Sequence, residues 1–131
     1  NVLNTLDVYK NIRKSSDIII VADGAVKAVL EKGFKPNIVV SDLDGDPKYL
    51  LEAYRLGSKF IILCHGDNID KIILYSRFFK DIFLTSQIIS LPPYILNLGG
   101  FTDGDRAIYI ATRFKAKKIL LVGMEFNAEI G

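Results

Sequence analysis

The sequence predicts an α/β domain: a three-layer, Rossmann-like arrangement with a largely parallel sheet of about six strands between helices. Three observations carry that reading. Short unbroken runs of aliphatic residues recur, such as Ile18-Ile19-Ile20-Val21 and Ile38-Val39-Val40, and an unbroken apolar strand is one covered on both faces. Segments with apolar residues at helical spacing stand between these runs. Gly, Asp, Asn and Pro mark most of the changes from one kind of segment to the other.

The elements follow in order. Asn1 to Lys14 reads as an amphipathic helix, with Leu3, Leu6, Tyr9 and Ile12 along one side; that side suits its own sheet or a neighbouring subunit, so a homodimer is left open. Asp17 to Ala22 is the first strand. Asp23-Gly24-Ala25 interrupts it, and a helix from Ala25 to Lys32 follows, which Gly33 can end. Asn37 to Ser41 is the second strand. Asp46-Pro47 opens the next helix, with Asp as N-cap and Pro at the first helical position, and Gly57 closes it. Lys59 to Cys64 is the third strand, His65-Gly66-Asp67-Asn68 a loop, and Ile69 to Phe79 helical. Asp81 to Thr85 is the fourth strand, Ser90 to Pro93 part of a loop, and Tyr94 to Leu98 the fifth strand. Gly99 to Gly104 lead into a helix from Asp105 to Phe114, and Lys118 to Val122 is the sixth strand. The crossovers are expected to be right-handed.

The 131 residues suit one domain, residues 1–131, with a sizeable core. Asn1 rather than Met stands first, and the chain is expected to be part of a longer one. A net charge of only +2, with scattered Lys and Arg, argues against nucleic acid as a partner. No apolar run approaches the roughly 18 residues of a membrane helix, and no signal peptide is read at the amino end, so no membrane partner is expected. Cys64 is the only cysteine, which excludes an internal disulfide and suits a reducing, cytoplasmic setting.

The densest chemistry lies in Ser41-Asp42-Leu43-Asp44-Gly45-Asp46-Pro47, directly after an apolar strand. Carboxylates this close repel one another unless a cation or hydrogen bonds hold them ionised, and a hard divalent ion takes oxygen ligands. Asp46 is absorbed by helix capping. Asp67 or Asn68 can cap the helix after them, and Thr102 or Asp103 the last one, which leaves Asp42 and Asp44 as surplus acids suited to a metal. In open parallel sheets ligands bind beyond the carboxyl ends of the strands. Asp23 and Gly24, Asp42 and Asp44, His65 to Asn68, Gly99 to Asp103, and Gly123 all fall there. Gly99-Gly100 before a helix suits a phosphate approach, but no Lys-Ser/Thr follows as in a Walker loop. One His and one Cys make a zinc site improbable, and no Ser stands in a nucleophile elbow. Arg106 either pairs locally with Asp105 or reaches a phosphate.

Five motifs occur in order: Asp23-Gly24-Ala25, Ser41-Asp42-Leu43-Asp44-Gly45, His65-Gly66-Asp67-Asn68, Gly99-Gly100-Phe101-Thr102-Asp103-Gly104-Asp105-Arg106-Ala107 and Gly123-Met124-Glu125-Phe126. The set resembles the archaeal 6-hydroxymethyl-7,8-dihydropterin pyrophosphokinases, the MptE-like family, from about Asp17 to Phe126. It is similar, more distantly, to the catalytic domain of thiamin pyrophosphokinase. The resemblance implies a Mg²⁺-dependent enzyme that moves the diphosphate of ATP to the hydroxymethyl group of a reduced pterin and releases AMP. It implies that Asp42, Asp44 and Asp67 hold Mg²⁺. Asp23 and Asn68 would lie near the nucleotide or the metal's waters. Gly24 belongs to the same motif as Asp23, and Gly99, Gly100, Thr102, Asp103 and Arg106 would shape the nucleotide and pterin pocket. The region is also similar to the core of flagellin-modifying motility accessory proteins, where a nucleotide-sugar would replace ATP, and thiamin is an alternative acceptor.

Overall fold

A computed structural model describes residues 2–88 and 92–124. Five helices are described, α1 (Val2–Ile12), α2 (Val26–Glu31), α3 (Pro47–Arg55), α4 (Ile69–Ser76) and α5 (Asp103–Arg113), with a 3-10 turn over Asp23–Ala25 leading into α2. Five strands, β1 (Ile20–Ala22), β2 (Ile38–Ser41), β3 (Lys59–Leu63), β4 (Ile82–Thr85) and β5 (Ile95–Leu96), form one sheet in the order β1-β2-β3-β4-β5. Every pairing is parallel, with Ala22 opposite Val40, Ser41 opposite Ile62 and Leu63 opposite Thr85. All the strands therefore end at one edge of the sheet.

Alternation along the strands divides the core in two. Val39, Phe60 and Ile62 point into the larger cluster, with Val26 and Val29 of α2, Leu50 and Ala53 of α3, and Tyr75 and Phe79 at the end of α4. Val40 and Ile61 point the other way, against Ile110 of α5. Tyr54 stacks on Phe79 with ring centroids 4.4 Å apart, and Phe60 lies 4.6 Å from the same Phe79. α1 packs on its own chain: Leu6 is buried, and Tyr9 lies 5.5 Å from Phe34.

The helix signals are realised. Asp46 accepts from the Lys48 amide at 2.9 Å with Pro47 beside it, and Gly57 adopts φ 90° just beyond α3. Several expectations change: the first strand shortens to Ile20–Ala22 and α4 ends at Ser76. Residues 118–122 join no ladder among the described residues; Val122 packs against the larger core while Ile119 to Leu121 stay partly exposed. β-propensity alone does not make a strand, which exists through bonds to a neighbour. β5 shrinks to two residues because Asn97 turns its side chain onto the Gly99 amide, a local bond that competes with the ladder. Asn68 stands at the N-cap position of α4 but makes no capping bond. Ser90, Leu91, Glu125 and Phe126 lie outside the described residues.

Candidate functional site

The site is built on the ends of β1 and β2. Asp23 follows β1 directly and is buried; Ser41 ends β2 and is also buried. The Ser41 hydroxyl donates to Asp23 Oδ2 and accepts the Leu43 amide at 2.8 Å. Leu43 takes φ 68°, a left-handed conformation rare for a residue with a branched side chain, and is only 3% exposed. Strain of this kind persists only where the surroundings over-determine it, here through the burial of its side chain and the bond from its amide. The turn continues with the Asp44 amide donating to Asp42 Oδ1 at 3.2 Å.

The outcome is a triad of acids. Asp23, Asp42 and Asp44 each offer a ligand atom, all within 4.8 Å of one another. Burial pushes the Asp23 carboxyl above its ordinary range, against the help of the Ser41 hydroxyl. Asp44 is pushed up by its hydrogen-bonding contact with Asp42, then by burial and the charges of Asp42 and Asp23, with Lys71 opposing. Asp103, the first residue of α5, is pushed up to about 7 by burial and by the charges of Asp42 and Asp23, with Arg106 pulling the other way. Four carboxylates thus crowd one edge of the sheet. Asp23 Oδ1 is buried without a hydrogen-bond partner among the described residues, an acceptor of the kind a cation satisfies. The donor set is all oxygen, which fits a hard divalent ion.

Gly45 makes the cluster sterically feasible, since a Cβ there would overlap the Asp23 carboxylate. Ser41 and Gly45 were not among the sequence-derived site residues. They are the ends of the Ser41-Asp42-Leu43-Asp44-Gly45 motif, and their further signal was position, at a strand's last residue and between two acids. Asp23 joins Asp42 and Asp44 among the candidate ligand atoms. Asp67 is exposed and stands outside that group, while Asp42 keeps His65 Nε2 at 3.7 Å from its Oδ2.

Asn68 has a different task from capping. Its side-chain amide donates to the Asp42 carbonyl at 2.8 Å and the Leu63 carbonyl at 2.6 Å, and accepts the His65 amide at 3.3 Å. It ties the acid-bearing turn to the end of β3.

The glycine turn before α5 is held from inside. Gly99 and Gly100 both have positive φ, 83° and 84°. A Cβ on Gly100 would come within 2.5 Å of the Arg106 amide nitrogen. Arg106 is wholly buried, and Nη1 and Nη2 donate to the carbonyls of Gly99 and Gly100, each at 3.2 Å. Its Nε has no hydrogen-bond partner among the described residues. Arg106 therefore braces the turn rather than pairing with Asp105, which completes a capping box with Thr102: the Asp105 amide donates to Thr102 Oγ1 and the Thr102 amide to Asp105 Oδ2. Gly24 is exposed, and a Cβ there would meet nothing.

Among the described residues no helix is long and apolar enough to cross a membrane. Residues 4–131 match the family model described as 6-hydroxymethylpterin diphosphokinase MptE-like. The chain is 45% identical over 134 residues to a protein of Methanocaldococcus jannaschii named 6-hydroxymethyl-7,8-dihydropterin pyrophosphokinase, covering 95% of this chain and 54% of that one. Proteins of the same name are 46% identical in Pyrococcus furiosus and 42% identical in Methanothermobacter thermautotrophicus. The first match covers 86% of this chain and 47% of the relative. The second covers 83% and 47%. The chain spans about half the length of these relatives. With the family match running from residue 4 to the last residue, and the acids and glycine turn brought to one sheet edge, the chain belongs to the MptE-like family.

Proposed function

We propose that the protein is an ATP-dependent diphosphotransferase acting on 6-hydroxymethyl-7,8-dihydropterin. The hydroxymethyl oxygen bonds to the β-phosphorus of ATP, the bond from that phosphorus to the α,β-bridging oxygen breaks, and AMP leaves; the hydroxyl proton passes to water at the acid-lined edge. The carrying observation is the Asp23, Asp42 and Asp44 triad, whose mutual repulsion a divalent cation relieves. These three acids would hold Mg²⁺, with Asp67 as an outer carboxylate on the adjoining loop. When bound, the ion supplies charge neutralisation on the transferring phosphates.

Phosphoryl transfer depends mainly on positioning and charge, so the chain's own residues need no nucleophile. Gly99 and Gly100 offer the phosphates a backbone without side chains, held in place by Arg106. Asn68 fixes the turn that carries Asp42, and Thr102 starts α5 so that Asp103 faces the acids. Asp23 with Gly24 borders the nucleotide. The name of the relatives favours a pterin acceptor over thiamin, and a diphosphate donor over a nucleotide-sugar. A reducing, cytoplasmic setting accompanies this proposal, resting on the unpaired Cys64.

The test is AMP release from ATP by the full-length protein. Turnover should require both a divalent cation and the reduced pterin, and Asp42→Ala should abolish it without loss of fold. Full activity in Asp42→Ala, or no AMP with the reduced pterin, would overturn the reading.

A further inference from the structure

α4 follows β3, whose carboxyl end lies at the same sheet edge as the acids, so its first turn stands beside them. Asn68, at the N-cap position, fastens that turn to the acid-bearing loop by donating to the Asp42 carbonyl at 2.8 Å. Lys71 is the third residue of α4. The N-cap and third positions of a helix lie on one side, and helical side chains tilt toward the N-terminus. Lys71 is thereby directed back over the loop that holds Asp42 and Asp44. Its charge is felt there, since Lys71 is the cation that opposes the upward shift of Asp44.

That charge is uncommitted. Arg106 is wholly buried and holds the Gly99 and Gly100 carbonyls. His65 stands against Asp42, with Nε2 3.7 Å from Oδ2. Lys71 is exposed and closes no ion pair with Asp44 or with any other acid among the described residues, although Asp67 and Asp70 are close to it in sequence. An ammonium near carboxylates but not paired with them leaves a gap between the two. An anion suits that gap when it can meet the ammonium on one side and an acid-held cation on the other.

We infer that Lys71 binds the non-bridging oxygens of the diphosphate in transfer, from the side facing the acids and their metal. The inference rests on the diphosphotransferase reading above. The need is electrostatic. Four carboxylates crowd this edge, and one divalent cation offsets only part of their charge against an incoming polyphosphate. A lysine ammonium is a compact point charge with three donors, suited to phosphate oxygens. Asn68 leaves the first turn of α4 without a side-chain cap, so the positive end of the helix dipole adds to the same field.

The test measures binding to the full-length protein by calorimetry, with three ligands run separately: a non-hydrolysable ATP analogue with Mg²⁺, Mg²⁺ alone, and 6-hydroxymethyl-7,8-dihydropterin. Lys71→Met, Lys71→Arg and Lys80→Met are compared with the unsubstituted protein, and thermal melts check their folding. Lys80 lies beyond the far end of α4 and controls for the loss of one charge. Lys71→Met should weaken the analogue at least tenfold, as expected for loss of a charge-assisted hydrogen bond, and leave the pterin within twofold. It should not weaken Mg²⁺ alone, because the change removes a cation that repels the ion. Lys71→Arg should recover most of the analogue's affinity, and Lys80→Met should match the unsubstituted protein. Analogue affinity within twofold in Lys71→Met would overturn the inference. So would an equal loss in Lys80→Met, or a matching loss for Mg²⁺ alone, which would make Lys71 an organiser of the acids instead. If the unsubstituted protein turns over the pterin while Lys71→Met binds the analogue normally, only the Lys71 assignment fails. If it binds the analogue but releases no AMP with the pterin, the functional reading fails and the binding series still decides Lys71. If it binds no analogue at all, both fail.

Discussion

The Ser41 hydroxyl donates to Asp23 Oδ2, joining the carboxyl ends of β2 and β1 across 18 positions of sequence. This bond is the only one from a side chain to the buried Asp23 carboxylate among the described residues, and it orients the deepest acid of the cluster. Ser41→Ala should destabilise the protein by about 1–3 kcal/mol, the usual cost of leaving a buried polar group without its partner. The same change should weaken divalent-cation binding, because Asp23 would then hold its proton more tightly. Urea unfolding and a Mg²⁺ titration read the two effects; an unchanged titration would remove Asp23 from the ligand set.

Gly45 and Gly24 lie beside the same acid and should respond oppositely. A Cβ at position 45 overlaps the Asp23 carboxylate, whereas one at position 24 meets nothing. Gly45→Ala is expected to displace Asp23 and lower divalent-cation affinity more than tenfold. Gly24→Ala should leave cation affinity and melting temperature nearly unchanged. Equal effects from both changes would contradict the close approach at Gly45.

Arg106 should behave as a brace. Arg106→Ala leaves the Gly99 and Gly100 carbonyls without donors and opens a cavity under α5, for a loss of about 2–4 kcal/mol. Arg106→Lys keeps the charge but cannot fork to both carbonyls, and should recover only part of that loss. Chemical denaturation of the three proteins gives the ranking. A lysine variant as stable as the unsubstituted protein would show that charge alone suffices.

Stability should fall as pH rises toward neutrality when no divalent cation is present. Asp103 is pushed from its ordinary 3.8 up to about 7, so the folded chain binds more protons than the unfolded chain between those values. Its contribution to stability is fully present below about pH 4 and is lost as pH rises through 7. Asp23 shifts in the same direction. Asp103→Asn should flatten that part of the profile, and added Mg²⁺ should restore stability at neutral pH by binding the folded state alone. Thermal melts from pH 4 to 8, with and without the ion, test the sign; a rise in apo stability over this window would refute it.

Much was legible in the sequence because the signals were local. Unbroken apolar runs at Val39 and Phe60 marked strands covered on both faces, and the Asp46-Pro47 pair marked the start of α3. The surplus of Asp42 and Asp44 was also a local fact, visible once Asp46 was assigned to its cap. Only the tertiary structure decided which remote groups meet them. Parallel pairing set Ala22 beside Val40, and so brought Asp23 within 4.8 Å of Asp42 and Asp44 as a candidate ligand. The packing turned Arg106 inward to two carbonyls, gave Asn68 to the Asp42 and Leu63 carbonyls instead of a helix cap, and left residues 118–122 without a ladder among the described residues. The physical reason is common to all four. Backbone periodicity and capping depend on neighbours three or four residues away. A buried side chain's partner depends on strand register and packing between segments far apart in the chain, which no short window of sequence contains.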